Sequence, residues 1–451
     1  MRAYLLNLWD SFREGFWFKP TLMVLFAMFL AEGANWLDES LAAEQKEIDW
    51  LSTTAEASRS TLTAVASATI ALAGVVFSIT ILSLSIASTQ FGSRLIRSVM
   101  GHTIADWVIG QYIGTALFCL LVLRTIRDSE SATEAFVPHI GTALGVVFGL
   151  ISMWMLIWFV HHVATSIQAP NLVSSVSDEL DATIERLFPT RIGKSSQPEE
   201  TSRTVEEILS SAEGELISIP AKSEGYIEGI DGESLLSHSQ DYKGVLSLVC
   251  KPGNFVTVGD TLAECRTYSK ADTSTKERRD DLIKSIQQVI IIGASRTPRQ
   301  DVSYATLQLV EIAVRALSPG INDPFTAMSC IDRLSGALCQ LAEREAPEII
   351  RRDQSGTPRL ILKNVDGFPE VLNDAFNMIR QNGSRSIAVS IRLLESLIRI
   401  APHVTRDGDR QAIERQGESL KTGFENAGHV QADQAMFDEQ YAQLMKLLSQ
   451  K

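Results

Sequence analysis

The side chains whose type and spacing could do chemistry are serines and threonines within an unusually apolar segment, residues 64–90. Small or hydroxylated residues recur there at intervals of three, four or seven, which predicts that they share one face of an α-helix. That face holds Ser67, Ala71, Gly74, Ser78, Ser85 and Ser88. A second small or polar face, about 180° away, holds Thr69, Ala73, Thr80, Ser83, Ala87 and Gln90.

These two faces allow two interpretations. If the helix lies in a membrane, its hydroxyls and small residues can line a water-filled path. The candidates for such a lining are Ser67, Gly74, Ser78, Thr80, Ser83 and Ser85. Alternatively, the helix is the centre of a tightly packed bundle, because small residues allow close backbone approach and hydroxyls can bond to their own helix. Packing is the commoner use of such residues.

No other group of residues predicts catalysis or metal binding. The chain has no P-loop, no Gly-rich dinucleotide turn after a strand, and none of the motifs HExxH, GxSxG or CxxC. Its five cysteines are odd in number and far apart, which indicates neither a disulfide framework nor a metal pair. The side chains of His161 and His162 diverge by about 100° on a helix, so that they cannot easily share an ion. We therefore expect no enzyme activity, no cofactor and no metal.

Four apolar runs dominate the first 160 residues, at about 18–37, 62–89, 108–123 and 137–160. A membrane-spanning helix needs about 20 residues, so the sequence predicts a four-helix transmembrane domain over 18–163. Residues 1–17 read as an amphipathic lead with large apolar residues on one face. The alternative for this lead is a simple extension of the first helix.

Charge is segregated along the chain, which explains a mean hydropathy of +0.07 in a protein of 451 residues with 54 acidic residues. Residues 1–160 hold 9 basic and 13 acidic residues, whereas residues 161–451 hold 32 and 41. This distribution excludes a uniform soluble globule. It also argues against a nucleic-acid partner, because phosphate contacts need clustered lysine and arginine and the tail has a net charge of −9.

Glycines in the third and fourth apolar runs are spaced for helix packing. Gly110 and Gly114 form a pair four residues apart, and Gly141, Gly145 and Gly149 continue the same spacing in the next run. This is the close-approach pattern of membrane helices, within a protomer or between protomers. Glu32 is expected at the membrane interface. The alternative is that it lies within the membrane and forms an ion pair with Arg124.

The tail begins with an exit helix and linker over 164–214 and continues as a β-rich module over 215–270. Its sequence around 252–262 is similar to the "Pro-Gly-x-x-Val-x-x-Gly-x-x-Leu" element of biotinyl and lipoyl carrier domains. The likeness implies a small barrel-sandwich fold. No Met-Lys-Met-like tip is present, so that no carrier function is expected.

Residues 280–451 return to a helical period, in runs at about 282–292, 301–317, 322–345, 368–381, 384–401 and 408–449. A turn-forming stretch interrupts them at Pro319, Gly320, Asn322, Asp323 and Pro324. Asn322 or Asp323 is expected to cap the next helix, with Pro324 in its first turn. The stretch is either an interhelix corner or a polar loop at an interface. The fold class is therefore a mainly α integral membrane protein with a cytosolic tail.

Five sequence stretches together resemble one family, the Domain of Unknown Function 2254 family of predicted bacterial membrane proteins. They are GFWFKP, AGVVFSITILSLSIASTQFGSRL, LLVLRTIR, WFVHHVATSIQ and IAVRALSPGINDPFTAMSC. The resemblance covers nearly the whole chain and implies about four membrane helices followed by a soluble tail. It implies no activity and no site residues.

Two functions are compatible with these features. The first is a homo-oligomeric channel or transport protein of the bacterial inner membrane, in which the acidic tail would favour cations. The second is a non-conducting scaffold or sensor that anchors a cytosolic interaction platform. The expected partners are the lipid bilayer, further copies of the chain and, for the channel, ions. A ring of five or more, or a trimer with the second helix at its axis, would favour the channel, whereas a monomer or a two-fold dimer without a central gap would favour the scaffold. The large tail without an export signal and its four unpaired cysteines favour a reducing cytosol, so both termini are expected to be cytoplasmic.

Overall fold

The computed structural model describes residues 18–43, 53–91, 104–127, 136–166, 168–189, 198–212, 214–268 and 276–449. The predicted amphipathic lead at 1–17 lies outside these residues. The chain divides into two compact units, Met1–Leu172 and Val173–Lys451. Each unit has its own hydrophobic core.

Four long helices form the first unit. They are α1 (Phe18–Ala43), α2 (Ala55–Phe91), α3 (Ile104–Thr125) and α4 (His139–Ser166). All four are long and apolar enough to cross a membrane. The expectation of four such helices is thereby confirmed, and the third is longer than its apolar core of 108–123 indicated. Large apolar side chains such as Phe29, Leu82 and Ile157 are exposed on the outside of the unit, as expected where lipid is the solvent.

Polar contacts at the helix ends define an antiparallel order. Lys19 at the start of α1 lies 3.5 Å from Asp106 at the start of α3. At the opposite end, Asp38 of α1 contacts the start of α4, and Arg59 of α2 donates to the carbonyl of Ile126. The helices therefore alternate in direction, and the starts of α1 and α3 share one end of the unit.

Helix α3 is the centre of this unit, and it is the most buried of the four helices. Gly110 faces α1 so closely that a Cβ atom there would lie 2.7 Å from the Met23 sulfur. On α4, a Cβ at Gly141 would lie 2.7 Å from Val122 of α3, and one at Gly145 would lie 2.7 Å from Leu62 of α2. Only glycine fits such contacts without displacing a neighbour.

The remaining glycines of the predicted packing set lie in looser contacts of the same kind. A Cβ at Gly114 would lie 3.6 Å from the Cβ of Ala27, and one at Gly149 would lie 3.2 Å from Val65. All five glycines thus contact another helix of the same protomer.

The second unit begins in helix α5 (Ala169–Leu187), which follows α4 after a short break and ends just before Phe188-Pro189. Its carboxyl end is held by two arginines: Arg344 donates to the carbonyl of Phe188 at 2.8 Å, and Arg186 donates to the carbonyl of Pro298 at 3.1 Å. Helix α6 (Pro198–Ser211) follows. The predicted exit helix and linker over 164–214 therefore contains a second helix, whose Val205, Ile208 and Leu209 pack in a small core.

In the described part of the tail, eight strands form two open sheets. The strands are β1 (Leu216–Pro220), β2 (Gly225–Ile230), β3 (Gly244–Leu248), β4 (Phe255–Val256), β5 (Thr261–Thr267), β6 (Ile290–Gly293), β7 (Ile350–Arg352) and β8 (Pro358–Leu362). One sheet has the order β1-β5-β3-β8-β7 and the other β4-β2-β6. Among the described strands no closed barrel is present, so the barrel-sandwich detail is not confirmed.

The β-rich module is completed by strands from the region predicted as helical. Strand β8 pairs in parallel with β3, with Leu246 opposite Leu360, and β6 pairs with β2. Helix α7 (Gly232–Asp241) crosses between β2 and β3. Strands β6 and β8 escaped prediction because they are short and pair with partners at least 60 residues away in sequence.

The helices of the tail follow the predicted periodicity with altered ends. They are α8 (Lys276–Val289), α9 (Val302–Ala316), α10 (Pro324–Glu343), α11 (Phe368–Gly383), α12 (Ile387–Ile400), α13 (Asp407–Asn426) and α14 (Gln431–Ser449). The single helix predicted over 408–449 is thus two helices. Gly428, with φ of 74°, supplies the left-handed residue that ends α13.

Replacing Asp38 by alanine is expected to destabilise the membrane unit. Its two carboxylate oxygens accept from the backbone N–H groups of Ile140 and Gly141 at 2.9 Å each, so α1 caps the start of α4. Loss of such a cap costs about 1–2 kcal/mol. Thermal unfolding in detergent measures the change, and Glu39→Ala, at the exposed neighbouring position, is the matched control. Equal stability of the two variants would contradict the capping role.

Candidate functional site

The two polar faces of α2 have different surroundings. On the inner face, Thr69 and Ala87 are buried, and Ala73, Thr80 and Ser83 are half-buried. The apolar residues beside them pack against α3 and α4, where Val76 shares a core with Tyr112 and Phe159. This face is therefore committed to packing inside the protomer.

The outer face of α2 is exposed along its length. Ser67, Ala71, Gly74, Ser78 and Ser85 are all exposed, and Ser88 is half-buried. A Cβ atom at Gly74 would meet no atom within 4 Å. Large apolar residues flank this stripe, with Phe77 49% and Leu82 60% exposed. We call the five exposed residues the outer stripe.

The structure thus divides the six residues predicted to line a path. Ser67, Gly74, Ser78 and Ser85 lie on the outer stripe, whereas Thr80 and Ser83 lie on the inner face. The sequence pattern correctly separated two faces, but it could not show which face the neighbouring helices would cover. The side chain of Gln90 lies outside the described residues.

Several hydroxyls of α2 are satisfied by their own helix. Ser78 donates to the carbonyl of Gly74 at 2.9 Å, Thr80 to that of Val76 at 2.8 Å, and Ser83 to that of Ile79 at 2.8 Å. These bonds give each hydroxyl proton an acceptor, so that it needs no acceptor from water or from a partner helix in lipid. Each hydroxyl oxygen retains acceptor capacity, so an outward serine can still bind water or a neighbouring helix.

Several polar groups that the sequence pattern did not identify connect the helices of the bundle. Tyr112, which is fully buried, donates to the carbonyl of Ser152 at 3.0 Å. Thr125 donates to Asn35 at 3.3 Å, and Asp38 caps α4. The sequence feature that could have identified these residues is a polar residue inside or at the end of an apolar run. By contrast, Glu32 and Arg124, both described and both exposed, form no ion pair with each other.

The histidines at the end of α4 lie as interfacial side chains do. The ring of His162 stacks on Trp158 with centroids 5.9 Å apart, and its Nε2 lies 3.2 Å from the Ser166 hydroxyl. His161 is exposed. Within the described parts of the chain, no group of three or more histidine, cysteine or acidic side chains is arranged to hold a metal ion.

The tail cysteines lack the environment of a nucleophile. Cys250 and Cys265 are buried in the core between the sheets, and burial raises the pKa of the Cys250 thiol to about 11 and that of Cys265 to about 12. A reactive cysteine instead has a lowered pKa and access to solvent. These thiols are therefore core side chains.

The turn-forming stretch after α9 is a tight interhelix corner. Asn322 has φ of 51°, and its N–H donates to the carbonyl of Ser318 at 2.8 Å. Asp323 caps α10 by accepting from the N–H and hydroxyl of Thr326 at 3.1 and 2.6 Å, with Pro324 in the first turn. Pro319 and Gly320 are exposed, as are Ile321 and Phe325, at 46% and 77%.

A family model for predicted membrane proteins of the Domain of Unknown Function 2254 matches residues 13–399. The chain belongs to this family. The match includes the four helices of the first unit and the tail through most of α12. It supports a membrane protein with four apolar helices, and it assigns no activity to the outer stripe or to the corner.

Relatives of this chain occur in mycobacteria. An uncharacterised protein of Mycobacterium tuberculosis (strain H37Rv) and one of Mycobacterium bovis are each 29% identical to it over 358 residues. The aligned region is 79% of this chain and 66% of each relative. The chain therefore spans slightly less than two thirds of the length of these relatives. No solved structure matches the chain significantly.

Asp323→Ala is expected to lower the stability of the tail by about 1 kcal/mol at neutral pH, the usual cost of losing a helix cap. The hydrogen bonds from Thr326 lower the pKa of the Asp323 carboxyl. Its ionised form thus stabilises the fold above its ordinary pKa, and this contribution disappears as the pH falls through the lowered value. Thermal unfolding at neutral pH and near pH 3 should show the difference from wild type shrinking in acid. A pH-independent difference would contradict this role.

Proposed function

We propose that this chain is a homo-oligomeric channel or transport protein of the bacterial inner membrane. Both termini lie in the cytoplasm, and the tail acts as a vestibule or regulatory domain without catalysing a reaction. The observation that supports the proposal is the outer stripe of α2, where small and hydroxylated residues face away from the protomer.

The outer stripe is poorly suited to lipid. Hydrocarbon chains favour bulky apolar side chains, and the residues that flank the stripe, such as Phe77 and Leu82, are of this kind. Small residues and hydroxyls gain stability instead from a helix that approaches closely or from water. With Gly74 open on its outer side, α2 of a second protomer is the partner that this stripe fits, and a ring of stripes would enclose a polar path.

The acidic tail supports cations as the transported species. Residues 161–451 have a net charge of −9, and clustered negative charge raises the local concentration of cations at a nearby opening. This effect should weaken at high ionic strength because salt screens exposed charges beyond about 10 Å.

A second candidate is a non-conducting scaffold or sensor. It is favoured by the backbone bonds of Ser78, Thr80 and Ser83, since hydroxyls satisfied within one helix need no water-filled path. In this case the outer stripe serves assembly alone, and the tail is the functional part. The two candidates therefore share an oligomer and differ in conduction.

Gly74→Ile is expected to weaken the oligomer because it fills the outer stripe with a branched side chain. Native mass spectrometry or cross-linking in detergent measures the oligomeric state. Gly33→Ile on α1 is the matched control, because a Cβ atom at Gly33 also meets nothing within 4 Å of the protomer. Dissociation of only the Gly74 variant supports the interface. An oligomer unaffected by Gly74→Ile, or a wild-type monomer, would remove the basis of the proposal.

Ser78→Leu is expected to reduce ion flux by at least about tenfold while the protein stays folded, because a blocked narrow path loses most of its conductance. Flux through purified protein in liposomes is measured under voltage, membrane tension and osmotic shock. Ile81→Leu, a change of similar volume on the same helix face, should conduct as wild type does. If wild type conducts under none of these stimuli but remains oligomeric, the scaffold is the correct function.

A further inference from the structure

A cluster of charged side chains joins the β-rich part of the tail to its helices. The turn at 251–254, which contains Pro252 and Gly253, is closed by Asn254, whose N–H donates to the Lys251 carbonyl at 3.1 Å. Gly253 has φ of 87°, and a Cβ atom there would lie 2.1 Å from a carboxylate oxygen of Asp301 at the start of α9. The turn is therefore pressed directly against that carboxylate.

Two cations face three carboxylates at this contact. Arg296 binds Asp301 through two bonds of 2.8 Å, and Lys251 pairs with Asp366 just before α11. Asp374 of α11 faces the same group. The cluster has one more negative than positive charge when all its members are ionised.

The hydroxyl of Ser303 lies at the centre of this arrangement. It contacts an oxygen of Asp366 at 3.4 Å and also hydrogen-bonds with Asp374. A hydroxyl has a single proton to donate, so it cannot donate to two carboxylates at once. A proton held by Asp374 would provide the second donor and would remove the excess negative charge.

We propose that the turn at 251–254 is a pH-sensitive latch, which docks onto α9 and α11 more tightly as the charge cluster takes up a proton. The groups that face Asp374 are Ser303 of α9, Asp366 of the loop before α11, Lys251 of the turn and Arg296 of the loop before α9. The latch lies wholly within the tail and does not depend on whether the membrane helices conduct.

The direction of the pH effect follows from proton linkage. Burial raises the pKa of Asp374, with repulsion from Asp366 adding to it against the effects of Ser303, Lys251 and Arg296. Burial likewise raises the pKa of Asp301, although Arg296 opposes this. When the turn lifts, water reaches these carboxyls and Lys251 leaves them. Burial is the largest cause of both raised pKa values, so the loss of burial outweighs the loss of Lys251 and the pKa values fall. The docked form therefore binds more protons, and docking strengthens as the pH falls.

Hydrogen exchange on the full-length protein in lipid nanodiscs tests the latch. The reporters are the amides of Gly253, which donates to the Ile227 carbonyl at 2.8 Å, and of Asn254. After correction for intrinsic exchange, their protection should decrease as the pH rises from about 4, the ordinary carboxyl pKa, through the raised pKa of Asp374, by up to about tenfold per unit of pKa difference. Strand β5 is the internal reference and should show no such change.

Two variants and one control assign the effect to the cluster. Asp374→Asn removes the excess charge, so protection should stay high across the range. Lys251→Met adds to the excess, so protection should fall at neutral pH and return on acidification. Because Lys251 lowers the pKa of Asp374, the transition should lie at a higher pH than in wild type. Asp438→Asn, at an exposed position on α14, should behave as wild type. Constant protection of the wild-type turn, or an Asp374→Asn variant that keeps the wild-type pH dependence, would overturn the proposal. If Asp374→Asn does not fold, an unchanged profile in Lys251→Met would overturn it equally.

Discussion

Close approach of helices at glycine is the constraint on which the membrane unit depends. Helix α3 can lie at the centre because Gly110 admits Met23 of α1, and because Gly141 and Gly145 of α4 admit Val122 and Leu62. Helices in lipid gain little from the hydrophobic effect, so dense packing and a few polar contacts must hold them together. Two of these polar contacts lie at the ends of the helices. They are the cap formed by Asp38 and the pair of Lys19 and Asp106.

This packing also determines which part of α2 remains available. Its inner face is covered by α3 and α4, and its hydroxyls are largely satisfied by their own carbonyls. No part of the protomer that the structure describes covers the outer stripe. A helix that packs one small-residue face inside the protomer and leaves the other exposed is suited to joining protomers. This property is common to the channel and the scaffold. The polar groups inside the protomer serve the bundle itself.

The tail is held together by contacts distant in sequence. Strand β3 is paired with β8, and the turn at 251–254 is docked on helices that follow it by about 50 and 120 residues. The charge cluster at this joint is costly to bury, and its carboxyls are balanced only in part by Lys251 and Arg296. The stability of this contact depends on pH, because the uptake of one proton changes its charge balance. An apolar contact would not respond in this way.

The sequence by itself predicted the number of membrane helices, the two faces of α2, the close-packing glycines and a helix cap at Asn322 or Asp323. Each of these depends on local spacing or on the preference of a single residue type, and both can be read along the chain. Only the tertiary structure decided that Ser78 faces outward and Thr80 inward, that β7 and β8 complete a sheet begun more than 80 residues earlier, and that Lys251 meets Asp366. The physical reason is that periodicity defines the faces of an element, whereas the neighbour that covers each face is chosen by contacts between distant segments.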